Sequence, residues 1–580
     1  MQRCSTPTPS TSSTSSDETN SRNIINAFPQ RQISPSPSKK SVFSNPKEDT
    51  FQPATRFALA NLTTTVLRLD FWDDDDPTSI FFCKETFDIV TRSLNLPEKV
   101  IRTMKTHLDG EEELSDIASM IISIREDPLY KTNGSESLLI PLLFAFVATG
   151  NYDSRYRVLF RHLGTLLGVV WSDFEEIEDS LAATILEEQF VETEHSRRVR
   201  EKTSRNKKIK RALMIGAAGG VGGVLIGLTG GLAAPFIAGS VGMLIGGSTA
   251  IAGLATTAGA AVLGTTMGVA GAGFTGYKMK KRVGAIEEFT IETLTNDATS
   301  LKCTLVVSGW IESDTSPDQA FEHQWRHLQH SKEQYTLRYE SQYLMELGNA
   351  IEYLMSFAVS VAIQQTLLET ALAGLMSAVA WPVALISVSS VLDNPWNVCI
   401  YRAAEVGEHL AEVLLSRSHG KRPITLIGFS LGARVIFHCL LTMSKRAESA
   451  GIIEDVILLG APVTASPKEW AKVCRVVSGR VINGYCDTDW LLRFLYRTMS
   501  VQFRIAGTGP IDNQNNKKIY NYNLSHIVKG HMDYSKRLTE VLEAVGVKTG
   551  KHSEGSLFNL NSENFEEGKE AINEIQNPQD

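Results

Sequence analysis

The sequence predicts an α/β fold: a largely parallel sheet wrapped by helices, with an all-α region before it and an inserted membrane hairpin between the two. Three observations predict it. From about residue 285 to 548, short β-branched runs alternate with helix-length stretches, the pattern of strands joined by crossover helices. Residues 53–195 instead carry apolar side chains at three-and-four spacing, as in "ESLLIPLLFAFVATG" and "SRYRVLFRHLGTLLGVVWSDFEEIEDSLAATILEE". Between these regions, residues 212–277 contain no charged side chain at all.

The bulk composition narrows the chemistry. A chain of 580 residues has room for several domains. Its seven cysteines are scattered and form no CxxC pair, which argues against a disulfide framework and a zinc site and fits a reducing compartment. A net charge of -8 offers no general attraction to nucleic acid, so any basic footprint must be local. Residues 1–52 are rich in Ser, Thr and Pro and predict a disordered tail, with no secretory h-region, and 549–580 predict an acidic one. "DFWDDDDP", Asp70 to Pro77, lacks the spacing of a calcium loop and reads as a solvated acidic turn. Neither a metal nor a cofactor is expected.

The charge-free segment is long enough for two bilayer crossings at ~20 residues each. Gly219, Gly223, Gly227 and Gly231 recur every fourth position, so two such helices could approach closely. A buried soluble hairpin is the alternative. Basic residues flank both sides, "SRRVREKTSRNKKIKR" over 196–211 and "KMKKR" after it. By the positive-inside rule both flanks face the cytosol, which demands an even number of crossings and leaves the α/β region cytosolic. The same charges suit anionic lipid headgroups.

Within the α/β region the predicted strands are "LKCTLVVSGW", "QYTLRYE", "PITLIGF", "EDVILLGAP", "GRVINGYC" and "SVQFRIAG". "Gly428-Phe429-Ser430-Leu431-Gly432" directly follows one strand and directly opens a helix. A G-x-S-x-G pentapeptide arises by chance about one time in five in such a chain, so the strand-turn-helix context carries the weight. The turn that thrusts the serine forward leaves no space for side chains at Gly428 and Gly432.

A serine hydroxyl needs a histidine to take its proton and a carboxylate to orient that histidine. Both should follow in chain order, acid before base. Asp487 and Asp489 both lie after the "GRVINGYC" strand. Asp489 is preferred because it lies further along the loop, before Trp490, although either could cap the next helix. His526 and His531 are the late histidines, and His531 is preferred for its loop position before a helix near Asp533. Leu431, just after the serine, offers one backbone donor to an oxyanion. Trp310, at the end of "VVSGW", offers a second, if that turn is more than an ordinary strand end.

These stretches, with "VILLGAPV" and "GHMDY", resemble the domain-of-unknown-function 726 family, the transmembrane and coiled-coil domain-containing protein 4-like membrane α/β-hydrolases, over roughly residues 140 to 546. The resemblance implies an α/β-hydrolase fold tethered by membrane helices, a serine esterase or lipase activity, and residence on endomembranes such as the Golgi or ER. It maps Ser430, Asp489 and His531 onto a triad. Residues 350–392 are a second apolar stretch, read as a cap that gathers acyl chains, or as a further span. Together these point to a membrane-lipid acyl ester as substrate. The rival is a catalytically silent scaffold that docks protein partners through its tails.

Overall fold

The computed structural model describes residues 51–110, 116–190, 286–295, 300–312, 316–366, 373–496, 504–512 and 516–550, with side chains described outside 183–190, 317–318, 355 and 357–393. The predicted hairpin over 212–277, its basic leader and both tails lie outside these residues, as do most side chains of the predicted cap. Among the described residues no helix is long and apolar enough to cross a membrane.

Eight helices form the amino-terminal region: α1 Pro53–Val66, α2 Pro77–Ser93, α3 Glu98–Asp109, α4 Ile117–Arg125, α5 Pro128–Asn133, α6 Ile140–Val147, α7 Ser154–Leu167 and α8 Trp171–Phe190. Aspartates start several of them. Asp76, Asp116, Asp127 and Asp153 each accept an N–H from the first turn, which supplies an otherwise missing acceptor there. The apolar faces meet in one core, in which Phe146 stacks on Tyr156 with ring centroids 4.0 Å apart.

The second region is a seven-stranded mixed sheet in the order β1-β3-β2-β4-β5-β6-β7. Its strands are β1 Phe289–Thr293, β2 Cys303–Val307, β3 Glu333–Tyr339, β4 Ile424–Phe429, β5 Ile453–Leu459, β6 Val481–Tyr485 and β7 Ile519–Asn523. Only β1 runs antiparallel to its neighbour. Both faces are buried, as parallel strands require. Leu305, Leu426 and Leu458 enter the core on one face, whereas Val306, Ile427 and Leu459 enter the core on the other.

Five predicted strands match this sheet, and one does not. "SVQFRIAG" contributes no strand among the described residues: Ile505 makes only an isolated bridge to Thr464, and Ala506–Thr508 is a 3-10 turn. The last strand is instead β7, "IYNYN", a polar sequence at the sheet edge.

Helices α9 Pro317–His323, α10 Ser341–Thr366, α11 Ala373–Leu415, α12 Leu431–Met443, α13 Pro467–Val476, α14 Trp490–Leu495, α15 Asp533–Lys536 and α16 Leu538–Ala544 cover the sheet. The helical region seats on its amino end. There Arg157, with a side chain only 3% exposed, bonds Glu178 and Glu175 of its own region and Glu454 of β5, the last at 2.6 Å. Arg161 joins Glu454 and Asp455.

Candidate active site

The chain enters the site by the abrupt stop of β4. Ser430 takes φ 50° and ψ -124°, a region that non-glycine residues rarely occupy, and its N–H is held by the Leu459 carbonyl at 2.8 Å. Strain of this kind persists only where the surroundings fix it. Three glycines make room. A Cβ on Gly428 would lie 2.8 Å from the Gly432 carbonyl carbon, and one on Gly432 would lie 2.8 Å from the Ser308 oxygen. One on Gly309 would stand 2.6 Å from the Ser430 Cβ. Backbones therefore meet where side chains usually separate them.

The structure brings the three predicted polar residues into one line. Ser430 Oγ lies 2.7 Å from His531 Nε2, and His531 Nδ1 lies 2.6 Å from Asp489 Oδ2. All three are buried, at 1%, 2% and 0% exposure. Asp489 accepts at both oxygens, because its Oδ1 also takes the Leu492 N–H at 3.0 Å as the cap of α14. A carboxylate at Nδ1 favours the proton there, which leaves Nε2 free to accept from the serine hydroxyl. Asp487 is elsewhere. It is exposed and bonds Ser525 and Asn523.

Leu431 is the first residue of α12, so its N–H has no partner within the helix. A Cβ on Gly309 would come 3.1 Å from that nitrogen, so the turn leading to Trp310 lies against it. Trp310 itself is buried, its ring 5.3 Å from the His531 ring and edge-on to Phe429 at 5.0 Å. Tyr534 packs its ring against His531 from another side, 5.9 Å away. Sequence reasoning missed this aromatic clamp. The available signals were an aromatic three residues beyond His531 at a helix start, and one immediately after the strand-ending Gly309.

Among the described residues no group of three or more His, Cys, Asp or Glu side chains could hold a metal ion. The described cysteines are buried and free, and burial pushes the Cys303 and Cys399 thiols up to about 12.

Comparison with known proteins adds a lineage. A family model described as "Protein of unknown function (DUF726)" matches residues 207–548. The chain is 78% identical to an uncharacterized membrane protein of Caenorhabditis elegans, over 99% of this chain and 94% of that one. It is 35% identical to the rice transmembrane and coiled-coil domain-containing protein STS1, over 69% of this chain and 61% of that one. It is 32% identical to a Saccharomyces cerevisiae protein named probable lipase MIL1, over 71% of this chain but only 38% of the yeast protein. No solved structure matches the chain.

Proposed function

We propose, from the premise that the chain belongs to the DUF726 family, that it is a membrane-anchored serine hydrolase of α/β-hydrolase type acting on lipid acyl esters. The observation that carries this reading is the continuous Ser430–His531–Asp489 line. His531 Nε2 removes the Ser430 proton as Oγ bonds the acyl carbon, and Asp489 steadies the imidazolium that results. Leu431 and Trp310 N–H groups hold the oxyanion. The imidazolium then protonates the departing alcohol. Water, activated by the same histidine, releases the acid and restores the serine.

The lipid class rests on other support. The relatives include proteins named as membrane proteins and one named a probable lipase. The charge-free 212–277 segment, read as a hairpin with cytosolic basic flanks, keeps the site beside the bilayer on the cytosolic side of an endomembrane, Golgi or ER. The 350–392 stretch serves as an apolar cap over the acyl chain.

A fluorophosphonate probe tests the reading. The full-length protein in membranes should be labelled, and Ser430→Ala should abolish labelling at equal expression. Labelling that persists in the variant removes the nucleophile. Failure of both forms to label leaves the frame as a scaffold without turnover.

A further inference from the structure

A crevice of about 1040 Å³ opens at the end of the sheet opposite Ser430. Glu454 and Asp455 lie at the start of β5, Arg480 just before β6, and Lys518 just before β7, whereas Ser430 follows the last residue of β4. Strands of five to seven residues separate the two ends by roughly 20 Å. The volume lies at the upper end of the range for ligand sites. Its chemistry is not that of the serine site.

Both walls carry both signs of charge, and Arg157 and Arg161 of the helical side pair with Glu454 and Asp455 of the sheet side, but the remaining charges differ in sign. On the helical side stand Asp70, Asp73 and Asp76, from the acidic turn before α2. On the sheet side stand Arg475, Arg480, Lys517 and Lys518. Among the described residues those three aspartates make no ion pair with those four cations. Asp70 meets His162, Arg480 meets Asp455, and Lys518 donates to the Cys474 and Val477 carbonyls. Arg475 and Lys517 are exposed and enter no ion pair among the described residues.

The lining also holds buried polar atoms without partners: Arg161 Nε, Glu454 Oε2 and His330 Nδ1. They include both donors and acceptors, each costly to leave unmet. A polyanion would face the aspartates, and a simple cation would face the arginine and lysines. A molecule with a phosphate at one end and an ammonium at the other suits both walls and carries little net charge.

We propose that this crevice binds a zwitterionic amino-phosphate of the phosphoethanolamine type. The phosphate lies toward Arg475 and Lys517, and the ammonium lies toward Asp73 and Asp76. The ligand joins the helical region to the sheet. The chemistry is shared by the free compound and by a lipid headgroup, and the volume leaves room for the glycerol of the latter.

Calorimetry on the full-length protein in detergent tests it. O-phosphoethanolamine is titrated first. Dihexanoyl-phosphatidylethanolamine below its micelle concentration follows, with Ser430→Ala protein so that the lipid stays intact. At least one probe should bind, with tighter binding of the lipid assigning a headgroup and equal or tighter binding of the free compound assigning a soluble ligand. Lys517→Glu and Asp73→Lys, both at exposed positions, should each weaken binding about fivefold, while Glu412→Lys, exposed but outside the crevice lining, should not. The proposal fails if neither probe binds. It also fails if inorganic phosphate or ethanolamine alone binds as tightly, or if the wall reversals leave affinity unchanged.

Discussion

At the carboxyl ends of β2 and β4, glycines let backbones touch and a strained serine is held among apolar side chains. At the amino ends of β5 and β6, by contrast, arginines and carboxylates from two regions are drawn together out of water. The first end fixes geometry by excluding atoms, so its weak point is any added atom. The second fixes geometry by pairing charges, so its weak point is any removed one. Substitutions of opposite kinds should therefore damage the two ends.

The largest loss should come from removing the base. His531→Ala should lower kcat for a p-nitrophenyl ester about 10⁶-fold. Asp489→Asn should cost roughly 10⁴-fold by leaving the imidazole in the wrong tautomer. Asp487→Asn should change the rate less than about twofold, since that carboxylate only bridges Ser525 and Asn523 on the surface. Equal losses at 487 and 489 would dissolve the distinction between the two aspartates.

At the amino end, Arg157→Ala strands Glu178 and Glu454 without their shared partner, and should destabilise by about 3–5 kcal/mol in urea unfolding. Arg446→Ala, which breaks an exposed pair with Glu412, should cost below about 0.5 kcal/mol in the same measurement. Gly432→Ala falls between them. Crowding against the β2 carbonyls should cost about 1–3 kcal/mol and also reduce probe labelling, because the serine turn moves with it. If Arg157→Ala were as mild as Arg446→Ala, the amino end would not depend on its charges.

Acid should separate the ends by a smaller margin. Lys302 and Arg157 hold the Glu175 carboxyl below its usual range, and Arg161 and Arg480 do the same for Asp455, each against the opposing effect of burial. A depressed folded value means the stabilisation is complete above the unfolded value, near ~4, and is lost as pH falls below it. Hydrogen exchange should therefore show residues 53–182 loosening first as pH drops from 5 toward 2. The sheet opening before the helical region would contradict that assignment.

The sequence made the interior strands readable because both faces of β2, β4, β5 and β6 are covered, which leaves continuous apolar runs between turn residues. Edge strands escape that logic. β7 has one neighbour and an alternating polar sequence, so "IYNYN" lacks the apolar run that marks a strand, while "SVQFRIAG" has the composition of a strand but pairs as none among the described residues. At the candidate site, chain order alone put Ser430, Asp489 and His531 in sequence, because each follows or precedes a regular element. The pairing of the two aromatics around His531 is not legible from their local signals: Trp310 and Tyr534 are over two hundred positions apart, and only the assembled sheet brings them to one ring. The ion pairs between Arg157 and Glu454 were hidden for the same reason, being 297 residues apart in the chain.

One carboxylate has two employers. Asp489 caps the start of a six-residue helix with one oxygen and meets the imidazole with the other. Its torsion cannot relax toward either task without giving up the other. Whatever unwinds that short helix, a neighbouring chain or a shift in the segment that follows it, would swing the acid off the histidine and silence the serine without touching it.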